Sequence, residues 1–140
     1  IDIRWILSII RIETGGVVRP RLEQHWLSKF NKQEQEADFT DLRMRSMSFG
    51  LGQVMGFNFR TVGASSAQSM FQSSLDDQVY FISRFLIGSN IRKEVVVKSN
   101  PVNADYHDLA RSYNGRSYRN NLYHEKLERA FREFTKQMEG

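Results

Sequence analysis

The chain has 140 residues, of which 40% are hydrophobic and 26% are charged, and its net charge is +4. This length suits one domain with a sizeable core, and this composition excludes a disordered chain. No apolar run approaches the roughly 20 residues of a membrane span, and the absence of cysteine excludes disulfides and thiolate metal sites. The positive charge favours an anionic partner, such as a nucleic acid, a membrane surface or an acidic cell-wall polymer.

A helix and a short strand are the first elements that the chain predicts. Apolar residues recur at helical spacing over about residues 2–13, and the glycines at 15 and 16 end this helix. The β-prone stretch 17–22 follows, in which Pro20 indicates an edge or hairpin strand. Residues 24–30 then carry several aromatic side chains and predict the start of a second helix.

The middle of the chain is predicted to contain two loops or turns and two helices. The polar run 31–36 is typical of a solvated loop or helix end. The glycine-rich segment 48–57 predicts a turn into a short buried helix, with Ser48 as the N-cap. Ser65 or Ser66 is placed to cap a further helix.

The last part of the chain is predicted to be helical throughout. Ser74 caps a helix over 75–87, which Gly88 closes. The valine-rich stretch 91–98 suits a strand by propensity, but its helical surroundings favour a helix. Two helices follow, near 104–112 and 121–138, and Asn114-Gly115 separates them.

Glu13 is the residue that most strongly suggests chemistry, because an acid stands where an apolar helix stops. Partial desolvation at the end of a buried helix raises the pKa of a carboxyl group and lets it hold a proton near neutrality, as a general acid must. Taken alone, such a residue is more often a solvated carboxylate at a helix end.

Two later segments, Gly50–Met55 and Ala110–Gly115, contain residues suited to a sugar. Glycines at 50 and 52 allow the backbone to approach a polysaccharide closely, and the amide of Gln53 can both donate to and accept from sugar hydroxyls. Tyr113 offers an aromatic face and a hydroxyl that could hydrogen-bond Glu13. The alternatives are a helix-packing turn for the glycines and a core position for the tyrosine.

Three parts of the chain, taken together and in this order, resemble those of the lysozyme-like superfamily. They are the helix end at Glu13 and the segments Gly50–Met55 and Ala110–Gly115. The goose-type and lytic-transglycosylase branches of the superfamily show a helix ending in Glu-Ser, then Gly-Leu-Met/Phe-Gln, then Ala-Tyr-Asn-x-Gly. Four further stretches, at residues 21–26, 56–59, 113–115 and 123–127, make the chain similar to the N-acetylmuramidase domain of modular phage endolysins. The resemblance covers nearly the whole chain.

This resemblance implies a lysozyme-like fold that is all-α, or mainly α with a minimal β-hairpin, in a single catalytic domain over 1–140. It implies a bacteriolytic enzyme that cleaves the β-1,4 bond between N-acetylmuramic acid and N-acetylglucosamine in peptidoglycan. Glu13 is then the general acid and Glu23, in a setting similar to Phe/Leu-Glu-x-His, the second carboxylate. The substrate-binding residues that it implies are His25, Gly50, Gly52, Gln53, Tyr113 and Asn114.

The segment between Glu13 and Glu23 is shorter than the family pattern, so the separation of the two carboxyl groups stays open. An inverting hydrolase is favoured because this branch of the superfamily tends that way. The alternatives are a lytic transglycosylase that gives anhydromuramyl products, a wall-binding or phage structural module with an idle acid, and, more distantly, a nucleic-acid-binding domain. The intact Glu13 favours an enzyme.

No metal and no cofactor are expected, because His25, His107 and His124 lack the spacing of zinc ligands. The expected partner is the peptidoglycan glycan strand, without nucleic acid or stable membrane insertion. We expect a monomer. The sequence leaves open whether a separate wall-binding module accompanies this domain. The expected location is the bacterial cytoplasm for synthesis, from a phage, prophage or secretion system, and the cell wall in the periplasm for action.

Overall fold

The computed structural model describes residues 1–18, 20–34 and 38–140, and within them the chain is mainly α-helical with one small sheet. The helices are α1 (Ile3–Glu13), α2 (Gln24–Gln33), α3 (Phe39–Arg45), α4 (Ala67–Phe71), α5 (Leu75–Gly88), α6 (Lys93–Val97), α7 (Asn103–Asn114) and α8 (Tyr123–Glu139). The strands are β1 (Arg21–Leu22), β2 (Met47–Phe49) and β3 (Val54–Met55), and short 3₁₀ helices cover Gly56–Asn58 and Tyr118–Asn121.

Helix α1 is buried against α7 and α8, and this packing forms the larger of two hydrophobic clusters. Asp2 begins the helix, because its carboxylate accepts a hydrogen bond of 2.9 Å from the backbone N–H of Arg4. Trp5 is fully buried, and its ring centroid lies 4.5 Å from that of Phe131 on α8 and 5.4 Å from that of Tyr106 on α7. This aromatic packing therefore fixes the position of α1 against α7 and α8.

The smaller cluster lies under the sheet and α4, and it consists of Phe49, Val54, Val62 and Met70. Helix α5 touches both clusters. Its Ile82 and Leu86 are fully buried in the larger one, whereas Phe85 packs against the smaller one. The fold thus has two packed regions that share one helix.

The sheet is antiparallel, in the order β1-β2-β3. Arg21 pairs with Ser48 between the first two strands, and Ser48 in turn pairs with Met55 between the last two. This register places Glu23, just after β1, opposite Ser46, just before β2. Arg21, at the start of β1, lies nearer the β2–β3 turn.

Several predicted elements are confirmed, with boundaries shifted by at most two residues. They include α1, α5, α6, α7 and α8, and Ser66 and Ser74 do cap α4 and α5. The predicted strand over 17–22 is reduced to β1 at its end. Part of the polar run 31–36 belongs to α2, and its last residues lie outside the described part of the chain.

The prediction of a buried helix over 48–57 is wrong. This segment forms β2, a tight turn, β3 and a 3₁₀ helix, and Ser48 lies within a strand. The chain reverses because Gly50 and Gln53 both adopt positive φ angles, of 74° and 52°, which suit a hairpin connection. Helix α3 was not predicted, and the sheet has a third strand beyond the expected hairpin.

Candidate active site

Glu13 is the last residue of α1 and is half-buried. A helix C-terminus disfavours negative charge, and burial raises the pKa of the Glu13 carboxyl above its ordinary value. A hydrogen bond from Tyr123 and the positive charges of Arg21 and Lys126 oppose this shift without cancelling it. The carboxyl therefore keeps its proton to a higher pH than an ordinary glutamate, as a general acid requires.

The hydroxyl of Tyr123 donates a hydrogen bond of 2.9 Å to Oε1 of Glu13. Tyr123 is the first residue of α8, follows Leu122 in the left-handed conformation, and is buried. Burial and the charge of Glu13 raise the pKa of Tyr123 well above its ordinary value. The hydroxyl thus stays protonated and remains a donor. This contact was not among those predicted, although Tyr123 lies in one of the segments that carry the family resemblance.

Tyr113 has a different role from the one expected for its hydroxyl. That hydroxyl donates 2.6 Å to the backbone carbonyl of Gly52, and not to Glu13. Burial raises the pKa of Tyr113 well above its ordinary value, and the ring meets Phe85 edge-on at 5.3 Å. Tyr113 thus fixes the end of α7 to the β2–β3 turn.

The two glycines of the turn are packed against protein side chains. A Cβ atom at Gly50 would lie 2.8 Å from Cγ of Gln78, and one at Gly52 would lie 2.5 Å from the hydroxyl oxygen of Tyr113. Both positions therefore have a packing reason to be glycine. Their predicted contact with substrate stays a prediction.

Gln53 completes the turn in a left-handed conformation, with φ of 52°. Its Nε2 donates to the carbonyl of Gly50 at 3.1 Å, and its Oε1 accepts from Oγ of Ser48 at 2.8 Å. Thr14, directly after Glu13, donates from its hydroxyl to the carbonyl of Leu51 at 2.8 Å. The end of α1 and the turn are thus held together by hydrogen bonds.

Glu23 lies between β1 and α2, where its backbone N–H donates to the carbonyl of Ser46 at 3.0 Å. Its Oε1 accepts a hydrogen bond of 2.9 Å from Nε of Arg21. The Glu23 side chain is 22% exposed, whereas that of Arg21 is 74% exposed. Arg21, the more exposed of the two side chains, thus holds the Glu23 carboxylate in place. Arg21 was not among the predicted site residues.

Glu13 and Glu23 line one cavity of about 290 Å³. The other residues around it are Arg21, Ser48, Gln53, Met55, Tyr113 and Asn114. A neighbouring cavity of about 530 Å³ shares Glu13, Arg21 and Gln53 with the first, and continues along Thr14, Val17 and Pro20. Two carboxyl groups and several amide and hydroxyl groups thus face one open space, as the cleavage of a sugar polymer requires.

Five of the predicted site residues line this cavity: Glu13, Glu23, Gln53, Tyr113 and Asn114. Gly50 and Gly52 lie in the turn that carries Gln53. His25 does not line the cavity; it is exposed on α2, with its ring 5.4 Å from that of Trp26. Arg21 and Ser48 join the cavity through the pairing of β1 with β2, which no local sequence pattern revealed.

Comparison with known proteins identifies the family of the chain. The sequence model of N-acetylmuramidases matches residues 18–135. The chain belongs to the N-acetylmuramidase family. This membership confirms the predicted recognition. The match includes Glu23, Gln53, Tyr113 and Asn114, whereas Glu13 precedes it, so the case for Glu13 depends on the geometry.

Among solved structures, the chain resembles the endolysin of Burkholderia phage AP3, with a TM-score of 0.67 and 19% sequence identity. The alignment covers 97% of this chain and 66% of the endolysin, so the chain spans just under two thirds of that protein. The likeness confirms the predicted fold, mainly α-helical and lysozyme-like. A search of curated proteins gave no match.

Membrane spans and metal sites can be assessed for the described residues of the chain. None of their helices is long and apolar enough to cross a membrane. They contain no group of three or more histidine, aspartate or glutamate side chains arranged to hold a metal ion.

Proposed function

We propose that this chain hydrolyses the β-1,4 bond between N-acetylmuramic acid and N-acetylglucosamine in bacterial peptidoglycan, with Glu13 as general acid and Glu23 as general base. One observation carries the proposal: the two carboxyl groups line the same cavity. Membership of the N-acetylmuramidase family supports the choice of substrate.

In this mechanism Glu13 protonates the oxygen of the scissile glycosidic bond. Its Oε1 accepts the hydrogen bond from Tyr123, so the transferable proton belongs on Oε2. As the bond to the leaving sugar breaks, the proton moves to the glycosidic oxygen and Glu13 becomes a carboxylate. The Tyr123 hydroxyl then stabilises the new negative charge through the hydrogen bond that is already in place.

Glu23 would activate the attacking water in this mechanism. Arg21 occupies its Oε1, which leaves Oε2 to accept a proton from water while the water oxygen bonds to the anomeric carbon. A water between the two carboxyl groups corresponds to inversion and requires a separation of roughly 6.5–9.5 Å, whereas about 5 Å would suit retention.

The polar groups around the carboxylates suit an N-acetylated sugar. The amide of Asn114 offers donors and an acceptor on the wall of the cavity, which Gln53 also lines. Gln53 is fixed by Ser48 and by the carbonyl of Gly50, so its position is set before the sugar enters and less ordering is needed on binding. We place synthesis of the chain in the bacterial cytoplasm and its action on the wall in the periplasm, where the proposed substrate lies.

Product analysis tests the proposal and separates it from a lytic transglycosylase. Mass spectrometry of digested glycan should show reducing muramic acid ends, because water is the attacking group. Glu13→Gln should lower the rate by a factor of about 10²–10⁴ or more, and Glu23→Gln should also impair hydrolysis. Anhydromuramyl ends as the main product would reject the hydrolase, and full activity of Glu13→Gln would reject the assignment of the acid.

A further inference from the structure

A cavity of about 570 Å³ lies where the end of α5 meets α7, outside the residues that line the Glu13 cavity. It is lined by residues 89–92 after α5, by Asp108, Arg111 and Ser112 of α7, and by Arg116 just beyond that helix. Its volume lies within the range of about 300–1,000 Å³ typical of ligand sites. The proposed reaction uses none of these residues.

The arginines of this cavity are not neutralised equally. Arg92 is paired, since its Nη2 lies 2.9 Å from Oδ2 of Asp108 and its Nη1 lies 3.7 Å from Oε1 of Glu94. Arg111 comes no closer than 4.0 Å to Asp108. Arg116 is exposed and makes no ion pair with any described residue. Asp108 is thus shared, with the closer contact to Arg92 and the looser one to Arg111, whose guanidinium also lies 5.6 Å from the ring centroid of Tyr118. The lining holds Arg92, Arg111 and Arg116 against the single carboxylate of Asp108, so positive charge is in excess there.

The chemistry of the lining indicates the chemistry of a ligand. Guanidinium groups match the paired oxygens of carboxylates and phosphates through two parallel hydrogen bonds. The hydroxyls of Ser89 and Ser112 and the amide of Asn90 add neutral hydrogen-bonding groups around the same space. The lining therefore favours an anion with several oxygen acceptors.

The position of Arg116 connects this cavity with the reaction site. Asn114 lines the Glu13 cavity, and Arg116 follows it by two residues. Two residues span at most about 7 Å, so the edges of the two cavities are close neighbours. An anionic group attached to a glycan that lies beside Glu13 would therefore have a short distance to cover to Arg116.

We propose that this cavity is a subsite for the carboxylates of peptidoglycan peptide stems, with Arg111 and Arg116 as the groups that bind them. The inference rests on the proposed function, because it takes the stem-bearing glycan strand as the substrate. Phosphates of other wall polymers share the required chemistry. The stem is favoured because it is attached to the strand that the neighbouring cavity would cleave.

The test compares the parent chain with the double variant Arg111→Gln/Arg116→Gln. A matched control is Arg43→Gln/Arg129→Gln, which removes the same charge at two exposed arginines that line neither cavity. Three substrates are used: peptidoglycan free of phosphate polymers, the same glycan after an amidase has removed its stems, and walls that retain their phosphate polymers. The single variant Arg116→Gln, at a side chain with no ion pair, guards against misfolding of the double variant.

On stem-bearing peptidoglycan we expect the double variant to raise KM roughly tenfold with kcat unchanged, because charged contacts are lost in binding only. The single variant should raise KM in the same direction by less. The control should change KM much less than the double variant, because it loses only net charge, and on the stem-free glycan the double variant should not differ from the control. An unchanged KM, an equal rise on stem-free glycan, or a rise confined to phosphate-bearing walls would overturn the stem subsite.

A binding measurement keeps this inference separate from the proposed function. Calorimetric titration of each protein with soluble stem-bearing and stem-free glycan fragments reports affinity even where no bond is cleaved. Stem-dependent affinity that the double variant loses would support the subsite, even if the parent proved inactive and the proposed reaction failed. Equal affinity of the parent for both fragments would reject the subsite, whatever the activity.

Discussion

At the scale of single residues, the environment of Glu13 favours catalysis and disfavours folding. Burial makes the negative charge unfavourable in the folded chain, so the pKa of the carboxyl is raised there relative to the unfolded chain. A group of this kind stabilises the fold while it is protonated, and that contribution is lost as the pH rises through the folded pKa. Near pH 7 the charge of Glu13 therefore works against stability.

Glu13→Gln should accordingly raise the melting temperature near pH 7, in addition to its loss of activity. Glutamine is close in shape and carries no charge, so the unfavourable term disappears. Near pH 4, where the carboxyl is largely protonated even in the unfolded chain, the two proteins should melt at similar temperatures. Thermal unfolding at both pH values measures the difference, and a variant that is less stable than the parent near pH 7 would contradict the environment described for Glu13.

Tyr123→Phe should shift the pH dependence of the reaction. The hydroxyl hydrogen-bonds the carboxyl and lowers the pKa of Glu13, so its removal should raise that pKa further. Because the acid must be protonated, the alkaline limb of the kcat/KM profile should move to higher pH.

Tyr118→Phe is the matched control for this shift, since Tyr118 is a buried tyrosine whose hydroxyl contacts His107 at 2.9 Å and not Glu13. If both variants move the alkaline limb equally, the shift does not come from the Glu13 contact.

At the scale of elements, the sequence predicted the long helices well and the sheet poorly. Helices such as α5 bury residues at helical spacing, with Ile82 and Leu86 fully buried, and this period is visible without the structure. The strands β2 and β3 have three and two residues, too few to show a period. Their turn depends on the left-handed Gln53, which contacts from Ser48 and Gly50 hold in place.

The same limit explains which tyrosine contacts Glu13. Both Tyr113 and Tyr123 stand at helix ends near the site, and the choice is made by the packing of α8 along α1. Side-chain spacing within one helix does not contain that information. The order of the motifs along the chain identified the five predicted residues that line the cavity, which are Glu13, Glu23, Gln53, Tyr113 and Asn114. Arg21 and Ser48 were missed because they reach the cavity through strand pairing.

At the scale of the whole molecule, α5 connects the two hydrophobic clusters. Its buried face belongs to the larger cluster, and Phe85 reaches the smaller one and meets Tyr113 edge-on. Glu13 is the last residue of α1, which packs into the larger cluster, and Gln53 lies in the turn between β2 and β3, whose Phe49 and Val54 belong to the smaller cluster. The geometry of the cavity therefore depends on the two clusters keeping their relative position, and α5 is the element that links them.

The net charge of +4 predicts that activity on cell walls falls as salt is added. Attraction between a basic protein and an anionic polymer acts over about 10 Å at 0.1 M salt and only about 3 Å at 1 M. Binding should weaken accordingly, so kcat/KM on walls should drop by roughly tenfold or more across this range. The half-buried reaction site is screened much less, so kcat should change little.

Glycan oligomers whose muramic acid carboxyl groups are converted to amides provide the control substrate, because they keep the bond that the proposed reaction cleaves without offering carboxylates or phosphates. Their cleavage should depend weakly on salt, since no long-range attraction brings them to the protein. Initial rates on walls and on oligomers, measured in parallel between about 0.1 and 1 M salt, give the two slopes. The same steep slope for both substrates would mean that salt acts on the fold or on the reaction site, and that the charge of the molecule does not guide it to the wall.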